Sequence, residues 1–142
     1  LPLDLVRPYA FRQPLAPAMA AELEGKRVRL AGLKRCYQQI EADSDRVLVE
    51  GAGGLLVPYA PGLDGAGIAL RLKLPVLLVA RAQLGTINHS LLSLEAARRR
   101  GLKVLAVILN GPTDAKDPSI RLNAKTIQKL GRVKVFGPLP WK

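Results

Sequence analysis

A carboxylate followed by a cluster of glycines stands near the middle of the chain. Glu50 precedes Gly51, Gly53 and Gly54. Glycines let the backbone turn tightly or approach a ligand, and the backbone N–H groups of such a loop can bind phosphate oxygens. A carboxylate nearby holds Mg²⁺, with phosphates and waters completing the coordination. The pattern predicts a phosphate-binding loop with Glu50 as a metal ligand. The alternative is a tight turn with a surface glutamate.

A second group of polar residues stands at a predicted helix start. Thr86 is the expected N-cap of a helix that continues to Arg100, and Asn88 lies in its first turn. The free N–H groups of a helix start attract an anion such as a carboxylate, to which Asn88 adds a side-chain donor. The alternative is plain helix capping. His89, one residue further along, is given no role.

Three further positions carry groups that suit a bound nucleotide or metal. Asn110, followed by Gly111, has donors and an acceptor that match the edge of a purine, although an ordinary turn explains the pair equally well. Trp141 either covers a flat ring or seals the end of a sheet. Asp64 is either a second metal ligand or a turn residue, and turn chemistry is the commoner role for such a position.

The elements that position these residues follow from hydrophobic patterning. Short apolar runs predict strands that are buried on both faces at residues 47–49, 76–80 and 104–109, and a short last strand is predicted at residues 133–136. Helical patterns are predicted at residues 18–24, 27–42, 65–72, 86–100 and 119–130. Residues 1–17 contain four prolines and are expected to be irregular. Alternating strands and helices predict an α/β fold with a parallel sheet, whose strand ends share one ligand-binding edge.

Composition limits the classes of protein to consider. The 142 residues suit one α/β domain, and the 49% hydrophobic content excludes disorder. The single Cys36 predicts a reducing, cytoplasmic setting, and no run is long enough to span a membrane. The net charge of +11 comes from residues scattered along the sequence, with few aromatic rings for stacking on bases. No nucleic-acid partner is therefore predicted, and the charge is interpreted as a solvated basic surface.

Several motifs together resemble those of the dethiobiotin synthetase family. They are Glu50-Gly51-Ala52-Gly53-Gly54, Gly85-Thr86-Ile87-Asn88-His89, Asn110-Gly111 and Gly137-Pro138-Leu139-Pro140-Trp141, and they occur in the family's order. Tyr9-Ala10-Phe11 and Leu74-Pro75-Val76 are similar to further family segments. The resemblance covers nearly the whole chain, and the first two motifs together are specific.

The resemblance implies a P-loop NTPase-like architecture and a set of site residues. Glu50 would bind Mg²⁺, and residues Glu50, Gly51, Ala52 and Gly53 would approach ATP. Asn110 and Gly111 would contact adenine, bordered by Leu139, Pro140 and Trp141. The substrate carboxylate would be capped across a homodimer interface by Leu84, Gly85, Thr86, Ile87 and Asn88.

The resemblance also implies a reaction. Members of the family bind 7,8-diaminononanoate and form a carbamate with CO₂. ATP phosphorylates the carbamate, and the second amine then displaces phosphate and closes the ring. Mg²⁺ and lysines neutralise the transferred phosphoryl group. No residue of this chain is predicted to be catalytic by itself.

The sequence departs from the family pattern in what it lacks. The Gly-x-x-x-x-Gly-Lys-Thr loop with which the family begins is absent from the 142 residues. The substrate-binding lysine and serine and the aspartate that shares the metal are absent too. Ala16 and Ala18 replace a serine and a histidine that are common in the family. We expect the 142 residues alone to have no synthetase activity.

Two alternatives belong to other classes. One is a related P-loop ligase such as a cobyrinate diamide synthase domain, against which the Gly85-Thr86-Ile87-Asn88 motif argues. The other is a non-catalytic binding module that uses its basic surface.

Overall fold

A computed structural model describes residues 1–111 and 118–139, with the side chains of residues 118–121 left out. The chain divides into two compact units, residues 1–72 and residues 73–142. No helix in the described ranges is both long enough and apolar enough to cross a lipid bilayer.

The first unit consists of helices and one small hairpin. In chain order its elements are α1 (Leu3–Val6), α2 (Pro17–Leu23), α3 (Leu30–Ala42), β1 (Pro58–Ala60), β2 (Leu63–Asp64) and α4 (Gly65–Arg71). Pro17 begins α2 because its fixed φ suits the first helical position, where no backbone donor is needed. Gly25, at φ +62°, lies just beyond its end. The short helix α1 was not predicted.

Side-chain hydrogen bonds fix the irregular segment between α1 and α3. The hydroxyl of Tyr9 accepts a hydrogen bond from the backbone N–H of Arg29 over 3.0 Å. The carboxylate of Glu24 accepts one from the backbone N–H of Arg12 over 2.6 Å and pairs with Lys26 at 2.7 Å. The hydrogen bond from Lys26, followed by that from Arg12, lowers the pKa of Glu24. Backbone N–H groups that make no hydrogen bond within a helix or a sheet thus find acceptors on side chains.

The second unit is a three-stranded parallel sheet with helices on one face. Its elements are β3 (Val76–Arg81), α5 (Thr86–Arg99), β4 (Val104–Asn110), α6 (Pro118–Gly131) and β5 (Lys134–Leu139), and the strand order is β3-β4-β5. The predicted α/β class, with a parallel sheet and flanking helices, is confirmed. A core of Ala82, Leu94, Val107, Leu109 and Ile127 lies between the helices and the sheet.

Two predictions about strands were wrong. Residues 47–49 form no strand, and Leu48 is 86% exposed. A strand is stable only when a neighbouring strand takes its backbone hydrogen bonds, and no described residue pairs with this run. The strand β3 was predicted to be buried on both faces, but exposure alternates along it and Val79 is 65% exposed. Within this unit the helices cover only the other face of the sheet.

Candidate functional site

The glycine-rich loop is held in place by Tyr59, a residue that no sequence motif identified. The hydroxyl of Tyr59, on β1, accepts a hydrogen bond from the backbone N–H of Ala52 and lies 3.3 Å from the carbonyl oxygen of the same residue. Partial burial raises the pKa of Tyr59, while the hydrogen bond from Ala52 acts in the opposite direction. The spacing of seven residues across a turn gave no recognisable signal in the sequence.

The far end of this loop packs on the start of α4. The backbone N–H of Ala66 donates to the carbonyl of Leu55 over 2.8 Å, and the N–H of Gly65 donates to the carbonyl of Val57. A side chain at Gly65 would stand 2.9 Å from the Leu55 oxygen, so glycine permits this close approach. Asp64 caps α4 by accepting from the N–H of Gly67 over 2.8 Å. Helix capping is the role that the structure gives to Asp64.

Glu50 lies at the start of this loop and is exposed. Its carboxylate makes no hydrogen bond or ion pair with the described residues. Within those residues, no group of three acidic, histidine or cysteine side chains is arranged to hold a metal ion. Glu50 can therefore offer one carboxylate to Mg²⁺, a cation that commonly uses one or two carboxylates together with phosphates and waters.

In the second unit, the ends of the three strands meet as predicted. Asn110 pairs with Arg81 on one side and with Leu139 on the other. The carbonyl of Asn110 accepts from the N–H of Ala82 over 2.9 Å, and the N–H of Gly111 donates to the carbonyl of Leu139 over 3.3 Å. Asn110 itself is exposed, so its side-chain amide is free to meet a ligand at this edge. Pro140 and Trp141 lie outside the described residues.

Gly137 makes the close approach of β5 to β4 possible. Its φ is +100°, a conformation that residues with a Cβ rarely adopt. A Cβ at this position would collide with the carbonyl oxygen of Leu109. The two strands carry the predicted nucleotide contacts Asn110 and Leu139, so this glycine sets their relative position.

The start of α5 differs in one respect from the prediction. Gly85, at φ +89°, is the N-cap, and Thr86 is the first helical residue. Thr86 is not the cap because its side chain turns inward, where it is 4% exposed. No side chain caps α5. The N–H of Thr86 donates to the carbonyl of Gln83 over 3.2 Å, so the N–H groups of Ile87 and Asn88 remain available to an anion, which the positive end of the helix dipole favours.

A cleft of about 270 Å³ lies between α5 and β3. Its polar lining consists of Arg81, Gln83, Thr86, His89, Ser90 and Ser93, and no carboxylate of the described ranges lines it. The hydroxyls of Thr86 and Ser90 are buried and have no hydrogen-bond partner among the described residues. A buried hydroxyl without a partner is costly, so these two groups call for a ligand, a water or another polar group. Ser90 was not identified from the sequence because an isolated helical serine has no distinctive pattern.

Two of the five predicted substrate contacts, Leu84 and Thr86, line this cleft. Leu84 is 93% exposed and lines the cleft together with Thr86. Asn88 is exposed in the first turn of α5, and Ile87 packs against the core. The structure thus brings Leu84, Gly85, Thr86 and Asn88 together, whereas the predicted contacts Glu50 to Gly53 belong to the first unit.

Comparisons with known proteins relate this arrangement to one family. A family model described as "AAA domain" matches residues 2–142. The ATP-dependent dethiobiotin synthetase BioD of Anaeromyxobacter dehalogenans (strain 2CP-1) is 49% identical over 99% of this chain and 63% of its own length. The enzyme of the same name from Bacillus subtilis (strain 168) is 36% identical over 95% of this chain and 58% of its own length. The chain thus spans about three fifths of the length of these relatives, and the resemblance seen in its motifs is confirmed.

Proposed function

Because this chain belongs to the AAA domain family, we propose that it is part of an ATP-dependent dethiobiotin synthetase, which closes the ureido ring on 7,8-diaminononanoate and CO₂ in biotin synthesis. The observation that carries the proposal is the 49% identity over 99% of the chain to an enzyme of that name. The proposal covers the complete enzyme, to which these residues contribute two binding regions. The expectation that the 142 residues alone are inactive stays a prediction.

The first region binds ATP. The exposed amide of Asn110 recognises the edge of adenine, and Gly111 and Leu139 border the ring. The side chain of Asn110 has the required donors and acceptor. Its position between two strands supports this role, since nucleotides of α/β proteins bind beyond the carboxyl ends of the strands.

Glu50 and the loop that follows it serve the phosphate end of the nucleotide. The fit of Glu50 to Mg²⁺ rests on its exposure and on the lack of any competing partner among the described residues. Gly51, Ala52 and Gly53 offer a backbone without bulky side chains for close approach to phosphates. When bound, Mg²⁺ neutralises charge on the transferred phosphoryl group. Tyr59 keeps the loop in one conformation through Ala52.

The second region binds the substrate carboxylate. The uncapped N–H groups at the start of α5 and the amide of Asn88 donate to its oxygens. The exposed Leu84 contacts the aliphatic chain. We place this region at the interface of a homodimer, so that α5 of one protomer completes the site of its partner. A cytoplasmic location suits an enzyme that consumes ATP.

A hybrid enzyme tests the proposal. These 142 residues would replace the aligned residues of the Anaeromyxobacter dehalogenans relative, which supplies the rest of the polypeptide. Mass spectrometry would follow dethiobiotin formation from 7,8-diaminononanoate, bicarbonate and Mg·ATP, with the unaltered relative as the control. We expect turnover within about a factor of ten of the control, a difference of about 1.4 kcal/mol in activation free energy. A folded hybrid that forms no dethiobiotin would overturn the proposal.

A further inference from the structure

The net charge of the chain is unevenly divided between its two units. Residues 1–72 contain nine basic and eight acidic residues, whereas residues 73–142 contain thirteen basic and three acidic residues. The second unit therefore carries nearly all of the +11 charge. In its described part, Glu95 is the only acidic residue, and its carboxylate is paired with Arg99 at 2.6 Å.

The fold gathers basic residues that are far apart in the sequence. In a parallel sheet all strands begin at one edge, and the helices that connect them end at the same edge. Lys103 immediately precedes β4, Lys134 begins β5, and Lys73 comes shortly before β3. The last turns of α5 and α6 add further cations at this edge. We call this edge the basic face, formed by Lys73, Arg98, Arg99, Arg100, Lys103, Lys129, Arg132 and Lys134.

Part of the basic face has a structural explanation and part has none. Arg98 donates to the backbone carbonyls of Gly131 and Arg132, which joins the ends of the two helices. Cations at the ends of helices also complement the helix dipole. Lys73, Lys103 and Lys134 lie before or at the start of strands, which have only small dipoles. Their side chains are exposed and contact no acceptor or acid among the described residues.

We propose that the basic face binds the phosphodiester backbone of double-stranded nucleic acid. Lys73, Lys103 and Lys134 are exposed cations that no described acid neutralises, and such cations suit a polyanion because binding releases the counterions of its phosphates. The one exposed aromatic ring near these cations in the described residues is Phe136, two residues after Lys134 on β5, and one ring is too few to stack the successive bases of a single strand. Protein partners are usually held by apolar and aromatic anchors, and amphipathic membrane helices insert an apolar face. Charged side chains predominate at this edge, where Leu105 and Leu130 are also exposed, so the basic face would contact the backbone of a duplex without reading its sequence.

This face lies at the opposite edge of the sheet from Asn110 and the start of α5. Nucleic-acid binding is therefore independent of the proposed synthetase activity. Because the basic residues are scattered along the sequence, the sequence alone predicted a solvated basic surface and no nucleic-acid partner. The parallel topology places those same residues at one edge of the sheet.

Fluorescence anisotropy with the 142-residue protein tests the proposal. The probes are a labelled DNA duplex two helical turns long, an RNA duplex of the same length, and a single strand of the DNA. We compare the double variant Lys103→Gln, Lys134→Gln with the control Lys34→Gln, Arg35→Gln, which removes the same charge from α3 of the first unit. Circular dichroism checks that both variants fold.

We expect the face variant to bind both duplexes at least about tenfold more weakly at about 50 mM salt. Its log–log slope of affinity against salt should fall by about 1.8, as expected for the loss of two phosphate contacts. The control should keep the slope of the unaltered protein. Equal binding to the DNA and RNA duplexes supports recognition of the shared backbone.

Four results would overturn the proposal. They are the absence of duplex binding at low salt, an equal effect of the two double variants, tighter binding to the single strand than to either duplex, and tighter binding to phosphatidylserine vesicles or to polyglutamate at the same salt concentration.

Discussion

The hydroxyl of Tyr59 accepts a hydrogen bond from the backbone N–H of Ala52, across a turn that contains the glycine-rich loop. This contact joins the loop to β1, which is part of the hairpin with β2. A loop rich in glycine loses much conformational entropy when it becomes ordered. A single side chain that holds its middle therefore has a large influence on the shape of the predicted phosphate site.

Replacing Tyr59 with phenylalanine removes this hydrogen bond and keeps the ring. We expect Tyr59→Phe to lower the free energy of unfolding by about 1 kcal/mol, the usual value of one hydrogen bond. Tyr37→Phe is the matched control, since its hydroxyl bonds Glu41 one turn away on the surface of α3. That change should cost only a few tenths of a kcal/mol. Urea unfolding measures both, and equal effects would contradict an anchoring role for Tyr59.

The raised pKa of Tyr59 predicts a dependence of stability on alkaline pH. The folded state holds the phenol proton more tightly than the unfolded state, whose pKa is near the ordinary value of 10.0. The stabilisation is thus complete below pH 10 and is lost as the pH rises through the higher folded-state pKa. Tyr37 contributes in the same direction because its bond to Glu41 raises its pKa. The unfolding free energy of Tyr59→Phe should therefore fall less steeply above this pH than that of the unaltered protein.

Glu50→Gln tests the proposed metal ligand in the hybrid enzyme. The amide is neutral and binds Mg²⁺ weakly, so we expect kcat/KM for Mg·ATP to fall by at least about tenfold, or about 1.4 kcal/mol. The unfolding transition should stay unchanged because Glu50 is exposed. Glu41→Gln, an exposed acid on α3, provides the control. Unaltered activity over the whole range of Mg²⁺ concentrations would remove Glu50 from the metal site.

Asn88→Ala tests recognition of the substrate carboxylate. The loss of one hydrogen bond to a charged group costs about 1.5–3 kcal/mol, so we expect the KM for 7,8-diaminononanoate to rise by about ten- to a hundredfold. The KM for ATP should change by much less. Steady-state kinetics of the hybrid enzyme measure both constants. A larger rise in the KM for ATP would tell against capping of the carboxylate by α5.

Ser90→Ala should stabilise the 142-residue protein. The Ser90 hydroxyl is buried, and it has no partner in the described part of the chain. Removing it eliminates an unsatisfied polar group, and alanine also has the higher helix propensity. We expect the free energy of unfolding to rise by about 1 kcal/mol. A loss of stability in urea unfolding would show that the hydroxyl already has a partner in solution.

The sequence predicted those elements that pack against one another in the second unit. The strands β3, β4 and β5, the helices between them, and the meeting of Asn110 with Leu139 all follow from apolar periodicity and parallel topology. The strand predicted at residues 47–49 was wrong. An apolar run shows that a segment could form a strand, but the strand also needs a neighbouring strand to take its backbone hydrogen bonds. The predicted N-cap at Thr86 was wrong because Gly85, with its positive φ, occupies the N-cap position. Thr86 is therefore the first helical residue, and its side chain is buried. Tyr59 and Ser90 were missed because their roles depend on contacts without a sequence pattern.

The exposed face and the unpaired edge of β3 should make this protein prone to self-association in solution. In the described sheet β3 has a neighbour on one side only, and Leu77 and Val79 are 43% and 65% exposed. An unpaired apolar strand is a template on which strands of other molecules add. Self-association should therefore rise with protein concentration, and light scattering should detect it before any loss of secondary structure. The substitution Val79→Lys should reduce this self-association, because charged residues on exposed strands oppose the addition of further strands in natural sheets.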